Sequence, residues 1–191
     1  MTVLLLGGSP SFPSTTWRLQ HLVGERLAAL GHRTGALQAR ELPAQALLRA
    51  DIKDPAILDA VARVRDADAI VIGTPVHKAS FSGVLKAFLD LLPQDGLADK
   101  LVLPLATGGS QSHMLALDYA LRPVLASLAP RHILPSIFAT SEQLPWDPEL
   151  GLRPVPAIAA RIAAGVAQLH DELQHARQRK AWATQVLAVA A

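Results

Sequence analysis

The chain has 191 residues, half of them hydrophobic, and carries a formal net charge of +2. This length suits one domain with a substantial core, and the hydrophobic content argues against disorder. Because the chain contains no cysteine, disulfides, thiolate nucleophiles, cysteine-ligated zinc and iron–sulfur clusters are excluded.

The first predicted elements are a buried strand and an amphipathic helix. The apolar run at residues 3–8 ends in two glycines, which favours a parallel strand. Leucines and a valine recur at helical spacing over residues 14–30, and Gly31 fits a helix stop. A loop rich in hydroxyl residues lies between this strand and this helix. A hydroxyl-rich loop before a helix can bind a phosphate, or its hydroxyls can serve only to cap the helix. The loop carries five hydroxyl residues: Ser9, Ser11, Ser14, Thr15 and Thr16.

The same loop excludes several nucleotide-binding and catalytic motifs. Neither the G-x-G-x-x-G of dinucleotide-binding folds nor the glycine–lysine–Ser/Thr of P-loops follows the first strand. Residues 8–12 do not match G-x-S-x-G, so no nucleophile elbow is predicted. A monophosphate site of hydroxyls and amides remains, and flavodoxin-like folds hold the phosphate of FMN at this turn.

The remaining elements alternate along the chain. Strands are predicted at 34–38, 67–74, 101–107 and 133–139, and helices at 55–66, 82–92, 112–128 and 156–177. Pro55 and Pro156 fit the first helical position, and Ser112 fits an N-cap. Since proline cannot donate to a ladder, we expect a bulge or a strand end near Pro104.

This alternation predicts parallel β–α–β units joined by right-handed crossovers. We therefore expect an α/β fold: a three-layer, doubly wound, flavodoxin-like domain over residues 1–178, with a five-stranded parallel sheet in the order 2-1-3-4-5. In this order the carboxyl ends of strands 1, 3 and 4 meet. The loops there, 8–10, 74–77 and 107–110, are rich in small and hydroxyl residues, which favours a ligand site. Residues 179–191 are predicted to be a tail that either covers a subunit face or frays; its apolar residues are Trp182, Val186, Leu187 and Val189.

Several segments together resemble one protein family. They are Gly8-Ser9-Pro10 with Ser14, the stretch TPVHKASFSGVLK at 74–86, and LATGG at 105–109. These segments resemble the NADPH-dependent FMN reductases. The stretch HMLALDYALRPV at 113–124 resembles in particular the reductases of two-component alkanesulfonate monooxygenase systems.

The resemblance implies an enzyme with FMN and NADPH as cofactors. NADPH would deliver hydride to the flavin, and FMNH2 would then leave for a partner monooxygenase, for sulfonate desulfonation and sulfur acquisition. It also implies a homo-oligomer, a dimer or tetramer, and a π-bulge at Tyr119 near a subunit interface. The flavin carries the chemistry, so no catalytic side chain is predicted. The implied FMN-binding residues are Ser9, Ser11, Ser14, Thr15 and Thr16 at the phosphate, Pro75, Val76, His77, Lys78 and Ala79 along the ring, and Thr107, Gly108 and Gly109 at its other edge.

The chain departs from the family at three of these positions. The family usually has arginine where this chain has Ser11, and the subgroup has a second basic residue where this chain has Thr15. Fewer cations therefore face the phosphate, with Arg18 as a candidate helper, and we expect weaker FMN binding. His77 replaces a common tyrosine, which keeps a ring for stacking and loses the phenol.

Two other functions on the same fold stay open. One is a quinone or azo-dye reductase that retains its FMN, and the other is a flavodoxin-type electron carrier. Such carriers tend to be acidic, whereas this chain has a small positive net charge. The preference for NADPH or NADH also stays open, because the chain has no 2′-phosphate motif of the dinucleotide-binding type.

No nucleic acid, membrane or metal is predicted as a partner. The basic residues cluster only at 177–180, which is typical of a solvated helix end. No apolar run approaches the roughly 18 residues of a membrane span, and the first residues form no basic leader, so we expect a cytoplasmic protein. His170 and His175 are five residues apart, which is not the spacing of a zinc-binding helix.

Overall fold

The structure of the protein, a computed structural model, describes residues 1–189. Its strands are β1 Thr2–Gly7, β2 Arg33–Gln38, β3 Ala69–His77, β4 Ser80–Phe81, β5 Leu101–Gly108, β6 His132–Ile133, β7 Ile137–Thr140, β8 Trp146–Asp147 and β9 Gly151–Leu152. The main sheet runs β2–β1–β3–β5, and both β6 and β7 pair in parallel with β5. Because β6 and β7 share the fifth position, the predicted fold and strand order are confirmed. β4 pairs antiparallel with β3, and β8 and β9 form a separate hairpin.

Helices connect the strands and cover both faces of the sheet. They are α1 Thr15–Ala29, α2 Ala44–Arg49, α3 Pro55–Asp66, α4 Gly83–Leu89, α5 Arg122–Ala126 and α6 Pro156–Val189. The helices predicted at 14–30 and 55–66 are confirmed, and the one predicted at 82–92 is shorter than expected. Short helical turns at Ala39–Glu41 and in α2 were not predicted. No helix within residues 1–189 is both long and apolar enough to cross a membrane.

Alternation along the strands divides the core into two layers. Leu4, Leu6 and Ile70 face one side, where α3, α4 and α5 pack. Val3 and Leu5 face the other side, where α1 and α6 pack. The central strands are therefore apolar on both faces, which is why they read as continuous hydrophobic runs.

The expected bulge or strand end near Pro104 is wrong. β5 keeps a regular register with β3 through this residue. The carbonyl of Val102 accepts a hydrogen bond from the N–H of Leu134 at 2.8 Å, on the side of β6 and β7. Backbone groups two residues apart in a strand face the same side. The missing N–H of Pro104 therefore faces the interruption between β6 and β7, where no ladder bond is lost.

The helix predicted at 112–128 is confirmed as a helical stretch over residues 111–126, but it is not a regular α-helix. The segment forms a 3₁₀ turn at Gln111–Leu115, a π-helical turn at Leu117–Leu121 and then α5. Ser110, rather than Ser112, caps its start by accepting a hydrogen bond from the N–H of Ser112. Pro123 cannot donate to the carbonyl one turn earlier, so a continuous α-helix would lack a bond at this point.

The last helix continues past its predicted end at residue 177, because α6 extends to Val189. Trp182 lies on this extension and is 68% exposed. The side chains of Val186, Leu187 and Val189 lie outside the described residues. The division into a domain over 1–178 and a tail over 179–191 stays a prediction.

Candidate active site

The carboxyl ends of β1, β3 and β5 meet at one edge of the sheet, as their order predicts. The loops that follow them border an open cavity of about 500 Å³, within the usual size range of small-molecule sites. The predicted FMN-binding residues all line this cavity except Lys78 and Ala79. The lining also includes Pro13, Arg18 and Ser141.

The hydroxyls of the first loop divide into those that build the loop and those that remain available to a ligand. Ser14 is the N-cap of α1, and its hydroxyl accepts from the N–H of Trp17 at 3.1 Å. Its own proton stays available, because a hydroxyl can accept and donate at once. The buried hydroxyl of Ser9 bonds to the backbone of Ser11. Among the described residues, none forms a hydrogen bond with the hydroxyls of Ser11 and Thr15, so both remain free to donate to an anion.

Hydrogen bonds tie the loops together. The hydroxyls of Thr16 and Thr107 lie 2.6 Å apart in a buried contact that joins the start of α1 to the end of β5. The hydroxyl of Ser82, the N-cap of α4, donates to the carbonyl of Gly8 and accepts from the N–H of Leu85. A Cβ at Gly8 would lie 2.7 Å from the Cβ of Leu85, so the close approach requires glycine. These contacts hold the cavity walls in place.

The second loop is the tip of a hairpin. Pro75 and Val76 line the cavity, and His77 ends β3 with an exposed side chain. Lys78 and Ala79 form the turn to β4, with φ of 49° and 61°. Two left-handed residues make the type I′ turn that joins hairpin strands, a turn usually built from Asn and Gly. The turn lies outside the cavity lining, so contact of Lys78 and Ala79 with a flavin stays a prediction.

A histidine that was not predicted packs behind the third loop. Nδ1 of His113 is buried and has no hydrogen-bond partner within residues 1–189. A Cβ at Gly108 would lie 3.1 Å from this nitrogen, so the glycine leaves room for the imidazole. The only sequence signal for this contact is that His113 falls in the first helical turn after the loop.

Tyr119 lies within the π-helical turn, as the resemblance implies. Its ring is 60% exposed, and its hydroxyl donates to the carbonyl of Ala79 at 3.4 Å. Tyr119 therefore touches the hairpin that carries His77 and does not line the cavity itself. Met114 and Leu115 are also exposed on this segment. The predicted position at a subunit interface stays a prediction.

The charges around the cavity favour an anion. Among the described lining residues, Arg18 is the only lysine or arginine, and no carboxylate is present. Its guanidinium lies 4.0 Å from the centre of the Trp146 ring. Arg40, which follows β2, was missed: it donates to the carbonyl of Ser11 at 3.3 Å from outside the lining. The predicted strand order indicates this contact, because β2 pairs in parallel with β1 and the residues that follow the two strands lie side by side.

A larger cavity, about 730 Å³, lies at the opposite edge of the sheet. Acidic and basic residues are mixed in its lining. There the ammonium of Lys100 donates to the carbonyls of Arg65 and Ala67 at 2.7 and 3.0 Å, which closes the end of α3. Burial lowers the pKa of Lys100. These contacts stabilise the fold, and ligands of doubly wound sheets bind at the other edge.

The cavity between the three loops fits a phosphate monoester joined to a flat apolar ring. Free hydroxyls, the amino end of α1 and Arg18 match the oxygens and negative charge of a phosphate. Pro75 and Val76 offer apolar surface for a ring. The residues present therefore fit FMN, and they provide binding and orientation to a cofactor that carries the chemistry.

Comparison with known proteins identifies the family of the chain. Residues 1–144 match the family model described as NADPH-dependent FMN reductase. The chain is 42% identical over 174 residues to the FMN reductase (NADPH) of Pseudomonas putida KT2440, which covers 91% of this chain and 85% of that protein. It is also 42% identical over 144 residues to the FMN reductase (NADPH) of Escherichia coli K12, covering 75% of each.

A solved structure extends the comparison to the fold. The apo form of an NADH:FMN oxidoreductase, EMOB, matches with a TM-score of 0.81 and 37% identity, over 90% of this chain and 89% of that one. The relatives thus include proteins named for NADPH and for NADH. The chain belongs to the NADPH-dependent FMN reductase family, and it is an enzyme that reduces FMN with NAD(P)H.

Proposed function

We propose that FMN and the nicotinamide meet in the cavity between the three loops, and that the reduced flavin leaves for a partner monooxygenase. The observation that carries this proposal is an open cavity with free hydroxyls and a single lining arginine, Arg18, within the described chain. Few charged contacts favour a flavin that exchanges over one that is retained. An enzyme that supplies FMNH2 to another protein needs this exchange.

The loops around the cavity bind different parts of the flavin in this proposal. Ser11, Ser14 and Thr15 would bind the phosphate at the amino end of α1, and Pro75 and Val76 would lie along the ring. Bound FMN supplies the acceptor for the hydride of the nicotinamide. The chain binds and orients both reactants, and the bonds between its loops keep their binding surfaces in place.

The proposed partner is an FMNH2-dependent monooxygenase that desulfonates alkanesulfonates and so serves sulfur acquisition. Support comes from the resemblance of residues 113–124 to the reductases of such systems. We also propose a cytoplasmic homo-oligomer, a dimer or tetramer, with the π-helical turn at a subunit contact. The exposed side chains of Tyr119 in this turn, and of Met114 and Leu115 in the 3₁₀ turn before it, support that contact.

Steady-state oxidation of NADPH and NADH tests the activity, with free FMN, a quinone and an azo dye as acceptors. We expect turnover to rise and saturate with free FMN, and the dialysed protein to be nearly colourless and to bind added FMN. Stoichiometric yellow flavin after dialysis, with a quinone or dye preferred, would indicate a retained-flavin reductase. Little turnover with any acceptor would indicate an electron carrier. Addition of a candidate monooxygenase and its sulfonate then tests the partner.

A further inference from the structure

Arg18 lies near the amino end of α1, where the helix itself gives a cation no advantage. Its backbone N–H donates to the carbonyl of Ser14, the N-cap of α1, at 3.0 Å. The helix dipole disfavours positive charge at this end. The first turn of α1 contains no acidic residue, and none of the ion pairs within the described chain involves Arg18. A cation that lines a cavity without a carboxylate partner is available to an anion from solution.

Trp146 holds the guanidinium of Arg18 in place. The ring centre lies 4.0 Å from Cζ of Arg18, and the β8–β9 hairpin that carries Trp146 packs against α1. Stacking occupies the flat face of a guanidinium and leaves its N–H edges free, and these edges bind phosphate through two parallel hydrogen bonds. The stack also restricts a long side chain, so less conformational entropy is lost when a ligand binds.

We propose that Arg18, oriented by Trp146, is the cation that binds the phosphate of FMN in this chain. The inference rests on the proposed FMN site. Arg18 would contact the ligand directly, whereas Trp146 is a positioning residue that acts through Arg18. The neighbouring cation, Arg40, is already engaged by the carbonyl of Ser11 and the carboxylate of Glu41. Arg40 therefore stabilises the loop, and Arg18 is the cation that remains available to the phosphate.

The affinities of FMN and riboflavin, measured by quenching of flavin fluorescence, test the proposal because only FMN has a phosphate. Arg18→Ala should weaken FMN binding by roughly tenfold or more, as expected for lost charged hydrogen bonds, and leave riboflavin binding unchanged. Arg18→Lys should recover only part of this loss, since lysine lacks the fork and the stacking face. Arg26→Ala is the matched control: it removes the same charge from the last turn of α1 and should change neither affinity.

Trp146→Leu tests the positioning role. FMN binding should weaken by a few fold while riboflavin binding is unchanged, and the double variant with Arg18→Ala should bind FMN no more weakly than Arg18→Ala alone. If the loss of FMN affinity in the double variant equals the product of the two single fold-losses, Trp146 acts independently of Arg18 and has no positioning role.

Salt dependence and stability separate ligand binding from folding. The FMN affinity of Arg18→Ala should depend less on ionic strength than that of the wild type, and its flavin-free form should unfold at nearly the same urea concentration. Unchanged FMN affinity, or equal losses for FMN and riboflavin, would overturn the assignment of Arg18 and leave the site itself standing. A wild-type protein that binds both flavins equally would overturn the proposed phosphate site together with Arg18.

Discussion

The buried hydroxyl pair of Thr16 and Thr107 should stabilise the fold only while both partners are present. Thr16→Val keeps the size of the side chain but leaves the hydroxyl of Thr107 buried without its 2.6 Å partner. An unpaired buried hydroxyl costs about 1–3 kcal/mol, so Thr16→Val and Thr107→Val should each lower the free energy of unfolding by this amount. At about 2–4 °C per kcal/mol for a chain of this size, the melting temperature falls measurably. The double variant leaves no buried hydroxyl unpaired, so its free energy of unfolding should fall by less than about 1 kcal/mol.

Urea unfolding of the wild type, both single variants and the double variant measures this coupling. The flavin-free protein is used, because a bound ligand would itself add stability. Thr34→Val, at an exposed position of β2, controls for the substitution and should change stability little. The sum of the two single losses should exceed the loss in the double variant by at least about 1 kcal/mol, which is the interaction energy between the two sites. A double variant that loses the sum of the two single losses would refute the reasoning, because the hydroxyls would then act independently.

Three other measurements check the site and its surroundings. Ser14→Ala should weaken FMN binding by about 1.5–3 kcal/mol and hardly affect riboflavin; equal losses would reduce Ser14 to a helix cap. Tyr119→Ala should fold, because the ring is 60% exposed, but should change size-exclusion mass, flavin affinity or turnover. Tyr119→Phe loses only the hydrogen bond to Ala79 and should change these quantities less. A Tyr119→Ala variant with the mass, flavin affinity and turnover of the wild type would show that Tyr119 is an ordinary surface residue. Burial and the facing His170 lower the pKa of His32, so below about pH 6.5 the unfolded chain takes up a proton that the folded chain resists. Stability in urea should therefore fall from about pH 6.5 downwards, less steeply in His32→Gln, and equal slopes in both proteins would contradict this.

The strand order and the meeting of three loops could be predicted because their signals are local. Apolar runs that end in glycine, proline or hydroxyl residues mark strand ends, and chain connectivity then brings these ends together. The place of Pro104 could not be predicted, since the effect of its missing N–H depends on which neighbouring strand it faces. The leucine spacing of residues 112–128 did not distinguish one helix from three helical segments. The contact of Arg40 with Ser11 has no motif of its own, and only the predicted place of β2 beside β1 brings the two residues to the same edge of the sheet.

The bonds between the loops also bear on the rate at which flavin enters and leaves. The walls are held by Thr16, Thr107, Ser82 and Gly8, so an arriving flavin does not have to wait for a loop to fold. We expect association to be limited by diffusion and orientation, and the residence time to be set by dissociation. Each charged contact at the phosphate would then lengthen that residence time. On the proposed function, a cavity whose walls are held in place and that makes few such contacts would let one enzyme molecule serve many flavin molecules in succession.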